Sequence, residues 1–248
     1  MIVIMGSTHD DVIYYESILS DKRESWIYAK YPAIFGKILN QEACLVYDVY
    51  TSYSSEAVAM YFIRNFFVIL ILSVGTVRSY SKDVQFGDVV VSKEILLGDV
   101  DQTPVRNVKL GQIPGFETTL EVGRDVLSFL VPNISTVTFS KYRLASFISS
   151  NTFYVRKDQL RDISLSGRAF GLDSNVVLDS TSGGVAIACE LTHTSFAAVK
   201  SVEGAIGETM SVEDYGKILD SYSLVGRAIV TCIGDIGRTD VLERGKVE

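Results

Sequence analysis

The sequence has few of the residues that build metal centres and disulfide frameworks. It contains only two histidines, His9 and His193, and three cysteines, Cys44, Cys189 and Cys232. The cysteines are odd in number, lie far apart and form no C-x-x-C pair, which is typical of reduced thiols packed in the core of a cytoplasmic protein. With so few candidate ligands, we expect no metal centre and no cofactor.

The sequence also has fewer basic than acidic residues. Lysine and arginine together number 23 against 30 acidic residues, which gives a formal net charge of −7. Such a chain lacks the electrostatic attraction that nucleic acids and anionic membranes exert on basic proteins, so we expect neither as a partner. A small molecule remains the expected ligand.

The sequence also lacks the usual secretion and membrane signals. Met1–Gly6 has no basic start and no long apolar core, so it does not predict a signal peptide. Ala57–Val74 is about as long as a membrane span, but Arg64 and Asn65 interrupt it. The sequence therefore predicts a cytoplasmic protein.

The most prominent feature that is present is an unbroken apolar run, Phe66–Leu72, which continues into Ser73-Val74-Gly75-Thr76. A run without polar alternation is typical of a strand buried on both faces. In open α/β sheets ligands bind where such strands end, and the small Gly75 and Thr76 would admit a ligand close to the backbone. A plain core strand followed by a turn explains the same residues.

Strands and helices alternate along the chain, which predicts one α/β domain over residues 1–236 with a tail at 237–248. We expect a three-layer α/β/α sandwich around a twisted, mixed central sheet. The predicted strands are Met1–Met5, Ile34–Leu39, Ala43–Val49, Phe66–Leu72, Val137–Phe139, Ala145–Ser149, Val176–Leu178 and Ser195–Val202. The predicted helices are Val12–Leu19, Glu56–Ile63 (after a polar bend at Thr51–Ser55), Leu120–Leu130, Arg156–Ile163, Val185–Thr192 and a long closing helix after Ser211–Asp214.

Three parts of the chain carry recognisable motifs. The first is Ile2–Gly6, which precedes the acidic start of a helix. The second is Gly87–Ser92, which is followed by Asp99–Asp101 and Gly111–Gly115. The third is Ser149–Phe153. Together these segments resemble the 5′-methylthioadenosine/S-adenosylhomocysteine nucleosidases of the nucleoside phosphorylase superfamily, and with the closing helix the resemblance covers nearly the whole chain. It implies the fold of that superfamily and cleavage of a ribosyl–purine bond.

The resemblance implies roles for three carboxylates, which this sequence treats differently. The family's water-orienting acid falls on Asp11, whose side chain is one methylene shorter. An acid that only stabilises the start of a helix would give the same sequence pattern. The family's ribose-binding Met-Glu pair falls on Ser180 and Thr181, so a carboxylate becomes a hydroxyl. Its general acid falls on Gly204. The neighbouring Glu203 would replace that acid only if the loop shifts by one residue, and a solvated loop carboxylate is the alternative.

The remaining candidate substrate-binding residues belong to loops in the same resemblance. Ser7 lies in the first loop, and the family's Gly-Ser-Ala-Gly-Gly turn is replaced by a segment that contains Thr76, Val77 and Arg78. Arg78 suits a planar ligand anion, although a surface arginine or one paired with an aspartate is the alternative. Phe153 falls on the family's purine-stacking aromatic, but a core position fits it equally.

Two functions fit these observations. The first is a nucleosidase that hydrolyses a purine nucleoside, either methylthioadenosine or adenosylhomocysteine or, because Arg78 suits an acidic group, futalosine of menaquinone biosynthesis. Phosphorolysis is not expected. The resemblance implies that phosphorolysis needs a phosphate-binding arginine in the first loop, whereas this loop carries no lysine or arginine and its carboxylate would repel phosphate. The second function is a homologue that binds a nucleoside or a protein partner without turnover.

The chain is also expected to form a homodimer. The predicted helix Glu56–Ile63 and its flanks carry more aromatic and apolar residues than one buried stripe needs, namely Tyr53, Met60, Tyr61 and Phe62. The nucleosidases that the chain resembles pair through the equivalent helix.

Overall fold

The computed structural model describes residues 1–138, 142–152, 175–208 and 210–236. Within these residues a single mixed sheet of ten strands carries five helices. The strands are β1 Ile2–Met5, β2 Ser20–Ile27, β3 Tyr31–Ile38, β4 Gln41–Val46, β5 Leu70–Ser79, β6 Val89–Leu97, β7 Leu120–Glu121, β8 Tyr142–Ser149, β9 Val176–Asp179 and β10 Phe196–Ala205. The helices are α1 Ile13–Ile18, α2 Ser52–Asn65, α3 Arg124–Val137, α4 Ser182–Thr192 and α5 Val212–Ile236.

Five of the strands close into a ring. The path runs β5–β10–β6–β8–β9 and returns to β5, while β1, β4, β3 and β2 continue outward from β5. This is possible because β5 is ten residues long. Its first residues pair with β1 and its last two, Arg78 and Ser79, pair with β9. The predicted mixed α/β class is confirmed. The predicted three-layer sandwich did not include a closed ring of strands, so this part of the prediction differs from the structure.

Strand β5 is shifted relative to its prediction. It begins at Leu70, because Phe66 still belongs to the end of α2, where its N–H donates to Phe62 O at 2.9 Å. It also continues to Ser79, so Gly75 and Thr76 lie inside the strand and not after it. The ligand-accessible position that the sequence indicated is therefore the second half of a strand.

Helix α2 begins four residues earlier than predicted. Thr51 is its N-cap: the Thr51 hydroxyl accepts from Ser54 N at 3.2 Å, and Thr51 N donates to the Ser54 hydroxyl at 3.0 Å. This reciprocal pair is a capping box, which satisfies two backbone donors at the start of the helix. The predicted polar bend Thr51–Ser55 is therefore the cap and first turn of α2.

Two further predictions are wrong. Leu120 and Glu121, which were predicted to begin a helix, form β7 against β6. Helix α3 begins only at Arg124, and it extends to Val137, which was predicted to begin a strand. The strand β2 was missed because it is mostly exposed and polar, so it shows no apolar alternation. The predicted helix Arg156–Ile163, residue 139 and the tail 237–248 lie outside the described residues. The other predicted strands and helices are confirmed, with boundary differences.

Helices α2 and α4 approach each other closely at Gly184. An added Cβ at this glycine would lie 1.9 Å from Ser52 O and 2.4 Å from the Ser55 hydroxyl oxygen. The Ser55 hydroxyl also donates to Thr181 O at 2.6 Å, so the start of α4 is tied to the start of α2. Because Thr181 and Ser52 both adjoin the site described below, this contact sets the position of one of its walls.

We expect Gly184→Ala to destabilise the protein by about 3 kcal/mol, because backbone atoms of α2 would have to move. Gly216→Ala is the matched control: this exposed glycine of α5 has open space where a Cβ would lie. The control should gain about 0.5–1 kcal/mol from helix propensity. Urea unfolding of both variants measures the difference, and equal stability of the two would contradict the close contact.

The surface near α2 carries exposed aromatic side chains. Tyr53 is 74% exposed and Phe67 is 85% exposed, whereas Phe62, which was predicted to be exposed, is fully buried. Met60 and Tyr61 are partly buried against the core.

Within the described part of the chain, no helix has the length and apolar character needed to cross a bilayer.

The homodimer remains a prediction, now centred on Tyr53 and Phe67. Light scattering at micromolar concentration should give about twice the 27.3 kDa mass of the chain. Tyr53→Glu should shift the mass toward that of one chain, because it places a charge in an apolar contact. Val212→Glu, at a 92% exposed position at the start of α5, should not. A wild-type mass of one chain would reject the dimer.

Candidate functional site

A cavity of about 390 Å³ opens where the loops after β1 and β9 meet the second half of β5 and the end of β10. Six of the predicted site residues, from four separate segments, line this cavity. They are Ser7, Thr76, Val77, Arg78, Ser180 and Glu203. Asp11 and Thr181 are buried beside it, and Phe153 lies outside the described residues. Asn151 and Thr152 of the Ser149–Phe153 motif also line the cavity, although neither was predicted as a site residue. The other lining residues, which the sequence did not indicate, are Thr8, Tyr50, Leu178, Asp179 and Lys200.

Asp11 is fixed beside the cavity by the backbone of its own loop. Its Oδ2 accepts from Ser7 N at 2.7 Å and from Thr8 N at 2.8 Å, and the residue is only 5% exposed. Gly75 of β5 packs against the same carboxylate, since an added Cβ would lie 2.8 Å from Oδ2. Gly75 also has a φ of +124°, which side chains disfavour. Gly75 therefore makes room for the Asp11 carboxylate beside β5.

Burial dominates the ionisation of Asp11. It raises the pKa of this carboxyl more than the Thr8 amide, the Tyr222 hydroxyl, the Lys200 charge and the Ser7 amide together lower it. A buried carboxylate with a raised pKa suits proton transfer near neutral pH better than a solvated one.

Glu203 and Arg78 form an ion pair in the cavity wall. Arg78 Nε lies 2.9 Å from Glu203 Oε1, and both side chains are largely buried. Arg78 Nη1 also donates to Glu208 O at 2.8 Å, which fixes the loop after β10. Protonating Glu203 would disrupt this ion pair, so the geometry does not favour Glu203 as a general acid. Arg78 is paired with an acid, as the alternative interpretation held, but with a glutamate.

Gly204 lies within a local irregularity of β10. The pairing of β10 with β5 shifts register between Val202 and Ala205, and Gly204 has a φ of +136°. An added Cβ at Gly204 would lie 3.3 Å from Glu208 Oε2, which accepts from Ala205 N at 2.9 Å. Position 204, where the resemblance predicts the general acid, is therefore held in a glycine conformation beside the Glu208 carboxylate.

The most buried charges of the site were not predicted. Lys200 Nζ lies 2.6 Å from Asp179 Oδ2 and donates to Thr181 Oγ1 at 2.8 Å. Both charged side chains are 2% exposed. Burial alone would raise the pKa of Asp179, but the charge and hydrogen bond of Lys200, together with Ser182 and Ser149, outweigh it and lower that pKa. A lysine within the apolar segment Phe196–Val202 was the sequence signal that could have indicated this pair.

Thr181 is part of the Lys200 network and is not an open hydroxyl. Besides accepting from Lys200, its Oγ1 lies 3.3 Å from the Ser73 hydroxyl, and the residue is 3% exposed. The neighbouring Ser180, which lines the cavity, donates its hydroxyl to Tyr50 O at 2.8 Å. Of the two residues at the family's ribose-binding pair, only Ser180 therefore borders the cavity.

We expect Asp11→Asn to stabilise the protein at neutral pH. The folded-state pKa of Asp11 lies above its ordinary value of 3.8, so a cost in folding free energy develops as the pH rises above 3.8 and is complete once the pH exceeds the folded-state pKa. The variant's advantage in urea unfolding should be present at pH 7 and shrink as the pH falls toward and below 3.8. A variant that is less stable than the wild type at pH 7 would contradict this assignment.

Comparison with known proteins gives a consistent relationship. No protein-family profile matches the sequence. The chain is 27% identical over 143 residues to the 5′-methylthioadenosine/S-adenosylhomocysteine nucleosidase of Oceanobacillus iheyensis, an alignment that covers 58% of this chain and 59% of that protein. It is 24% identical over 202 residues to the nucleosidase of the same description from Staphylococcus haemolyticus, covering 82% and 85%.

Solved structures share the fold at lower identity. The Neisseria meningitidis nucleosidase in complex with methylthio-immucillin-A superposes with a TM-score of 0.84 at 14% identity, covering 94% of this chain and 98% of that one. The Streptococcus pyogenes nucleosidase in complex with 5-methylthiotubericidin gives 0.83 at 15% identity, covering 95% and 96%. The chain is therefore similar in sequence to 5′-methylthioadenosine/S-adenosylhomocysteine nucleosidases and shares the fold of their solved structures.

Proposed function

We propose that this chain hydrolyses the bond between ribose and base in a purine nucleoside. The observation that carries the proposal is Asp11, a buried carboxylate with a raised pKa that is held by two backbone amides at the edge of the cavity. Such a group can orient a water molecule and accept its proton as the water attacks the sugar carbon. The attack meets an oxocarbenium-like transition state, as in glycoside hydrolysis.

Water is a better nucleophile for this site than phosphate. The first loop, Gly6–Asp11, contains no lysine or arginine, and Lys200, whose charge acts on Asp11, is paired with Asp179. An incoming phosphate would meet the Asp11 carboxylate without a compensating charge, which is electrostatically unfavourable. Hydrolysis therefore fits the charges of the cavity better than phosphorolysis.

Departure of the base is the reaction step that the residues of this site assist least. Glu203 is paired with Arg78 and position 204 is glycine, so neither residue is well placed to protonate the purine. General acid catalysis typically contributes ~10²–10⁴ in rate, and we expect turnover to be slower than in an enzyme with a complete set of acids by a factor of that order. The Arg78–Glu203 pair also weakens the case for an acidic substrate such as futalosine, because it offsets the charge that would attract one.

The second candidate is a protein that binds a nucleoside without cleaving it. The same Arg78–Glu203 ion pair favours this function, since it replaces a proton donor with a stable contact in the cavity wall. The two candidates differ in one measurable respect, which is release of free base.

The deciding assay incubates the protein with methylthioadenosine, adenosylhomocysteine, futalosine and inosine and measures free base by chromatography. Hydrolysis predicts release from at least one nucleoside and a loss of ~10² or more with Asp11→Asn, because a proton acceptor is removed. Asp10→Asn, which changes the neighbouring carboxylate of the same loop, should retain activity within a few fold. Nucleoside binding by calorimetry without any base release would support the second candidate, and release that survives Asp11→Asn would reject the role of Asp11.

A further inference from the structure

The charged side chains that line the cavity cancel in pairs. Arg78 Nε lies 2.9 Å from Glu203 Oε1, and Lys200 Nζ lies 2.6 Å from Asp179 Oδ2. In the described part of the chain no other lysine or arginine lines the cavity. The Asp11 carboxylate beside it is held by backbone amides and not by an ion pair. The described lining thus offers no spare cation to a ligand, and its uncompensated charge is negative when Asp11 is ionised.

Tyr50 gives the cavity an aromatic wall. Among the described lining residues it is the only aromatic one, and it is 55% exposed. Its hydroxyl donates to Asp48 Oδ1 at 3.1 Å, and its carbonyl oxygen accepts from the Ser180 hydroxyl at 2.8 Å. The side chain and the backbone of Tyr50 are therefore both fixed, although the ring remains accessible.

The backbone on either side of Tyr50 is also fixed. Val49 is fully buried, and its N–H donates to Gly6 O at 3.4 Å, which joins this segment to the first loop. Thr51 is the N-cap of α2. Asp48 has a φ of +63°, a conformation that costs free energy in residues other than glycine and persists where the surroundings impose it. The ring is thus presented from a rigid segment and not from a loose loop.

Negative charge is concentrated at the Tyr50 ring. The face of an aromatic ring is itself negative and attracts a cation that lies within about 6 Å of its centre. Partial burial, the hydrogen bond to Asp48 and the charges of Asp48 and Asp11 all raise the pKa of Tyr50, so the phenol stays neutral and continues to donate to Asp48. A cation over this ring would be attracted by the ring and by both carboxylates.

The hydrogen bond to Ser180 places Tyr50 next to the ribose of the proposed substrate. Ser180 lines the cavity and occupies one position of the ribose-binding pair that the resemblance implies. Because the Tyr50 carbonyl is bonded to this serine, a group attached to the ribose lies closer to Tyr50 than to the end of the nucleoside that carries the base.

We propose that Tyr50 selects purine nucleosides that carry a positively charged group, an ammonium or a sulfonium, on the ribose, and that Asp48 strengthens this selection. The inference rests on the proposed function and names a class of substrate within it. Neutral nucleosides bind less tightly, and anionic nucleosides bind least, because the cations that would attract them are already paired.

The test measures binding by calorimetry with three nucleosides that differ in the charge of one group. They are 5′-amino-5′-deoxyadenosine, which is an ammonium at neutral pH, adenosine, and adenosine-5′-carboxylic acid. The wild type should bind the ammonium compound about fivefold or more tightly than adenosine, and the carboxylate compound more weakly than adenosine. The preference should shrink as salt is raised from about 50 to about 500 mM, because salt screens exposed charges.

Two variants test the residues that carry the selection. Tyr50→Leu removes the ring. Asp48→Asn removes the charge but keeps an acceptor for the Tyr50 hydroxyl, and asparagine tolerates a positive φ. Each should reduce the ratio of the two affinities, ammonium compound over adenosine, to about twofold or less. Asp21→Asn is the matched control: Asp21 also has a positive φ, of 53°, but lies on β2 near Lys37 and does not line this cavity, so it should keep the wild-type ratio.

Equal affinity of the wild type for adenosine and the ammonium compound would overturn the proposal, as would a preference that survives both Tyr50→Leu and Asp48→Asn. The ratio is measured within each protein, so a general loss of affinity in one variant does not imitate the expected result. Binding needs no turnover, which separates the two hypotheses. A charge preference without release of base rejects hydrolysis alone, and release of base without a charge preference rejects the role of Tyr50 alone. If none of the three nucleosides binds, both are rejected.

Discussion

The buried pair of Lys200 and Asp179 is the interaction on which the arrangement of the site depends. Removing two charges from water costs several kcal/mol per ion unless close contact and further hydrogen bonds compensate. Here the compensation comes from Thr181 and Ser182 at the start of α4 and from Asp179 at the end of β9. One ammonium group therefore joins β10, β9 and α4, and the position of each is coupled to the others.

Most of the fold could be predicted from the sequence because the buried strands are apolar without interruption. Strands such as β1 and β9 show this directly, since every residue of Ile2–Met5 is buried. The closed ring could not be predicted, because it depends on which edge of the ten-residue β5 meets β9 and β10. The polar strand β2 gave no periodic signal, since solvent accepts polar side chains along nearly its whole length.

The site was predictable in its location and less so in its contacts. Residues at strand ends and in the flanking loops, such as Ser7 and Ser180, do meet at one cavity, as the general behaviour of α/β sheets indicates. Ion pairs between distant segments leave no trace in local spacing, so the pairing of Arg78 with Glu203 could not be read from the sequence. Lys200 within an apolar strand did indicate a buried charge, but not that Asp179 is its partner.

The glycine at position 204 restricts how an acid could be introduced at the end of β10. Its φ of +136° disfavours a side chain, and the carboxylate of Glu208 occupies the nearby space. An aspartate introduced there alone would strain the backbone and face a like charge. A lineage that evolves toward a proton donor would first have to replace Glu208 and reshape the end of β10. The order of mutations is thereby constrained, and a single substitution at position 204 faces an epistatic barrier.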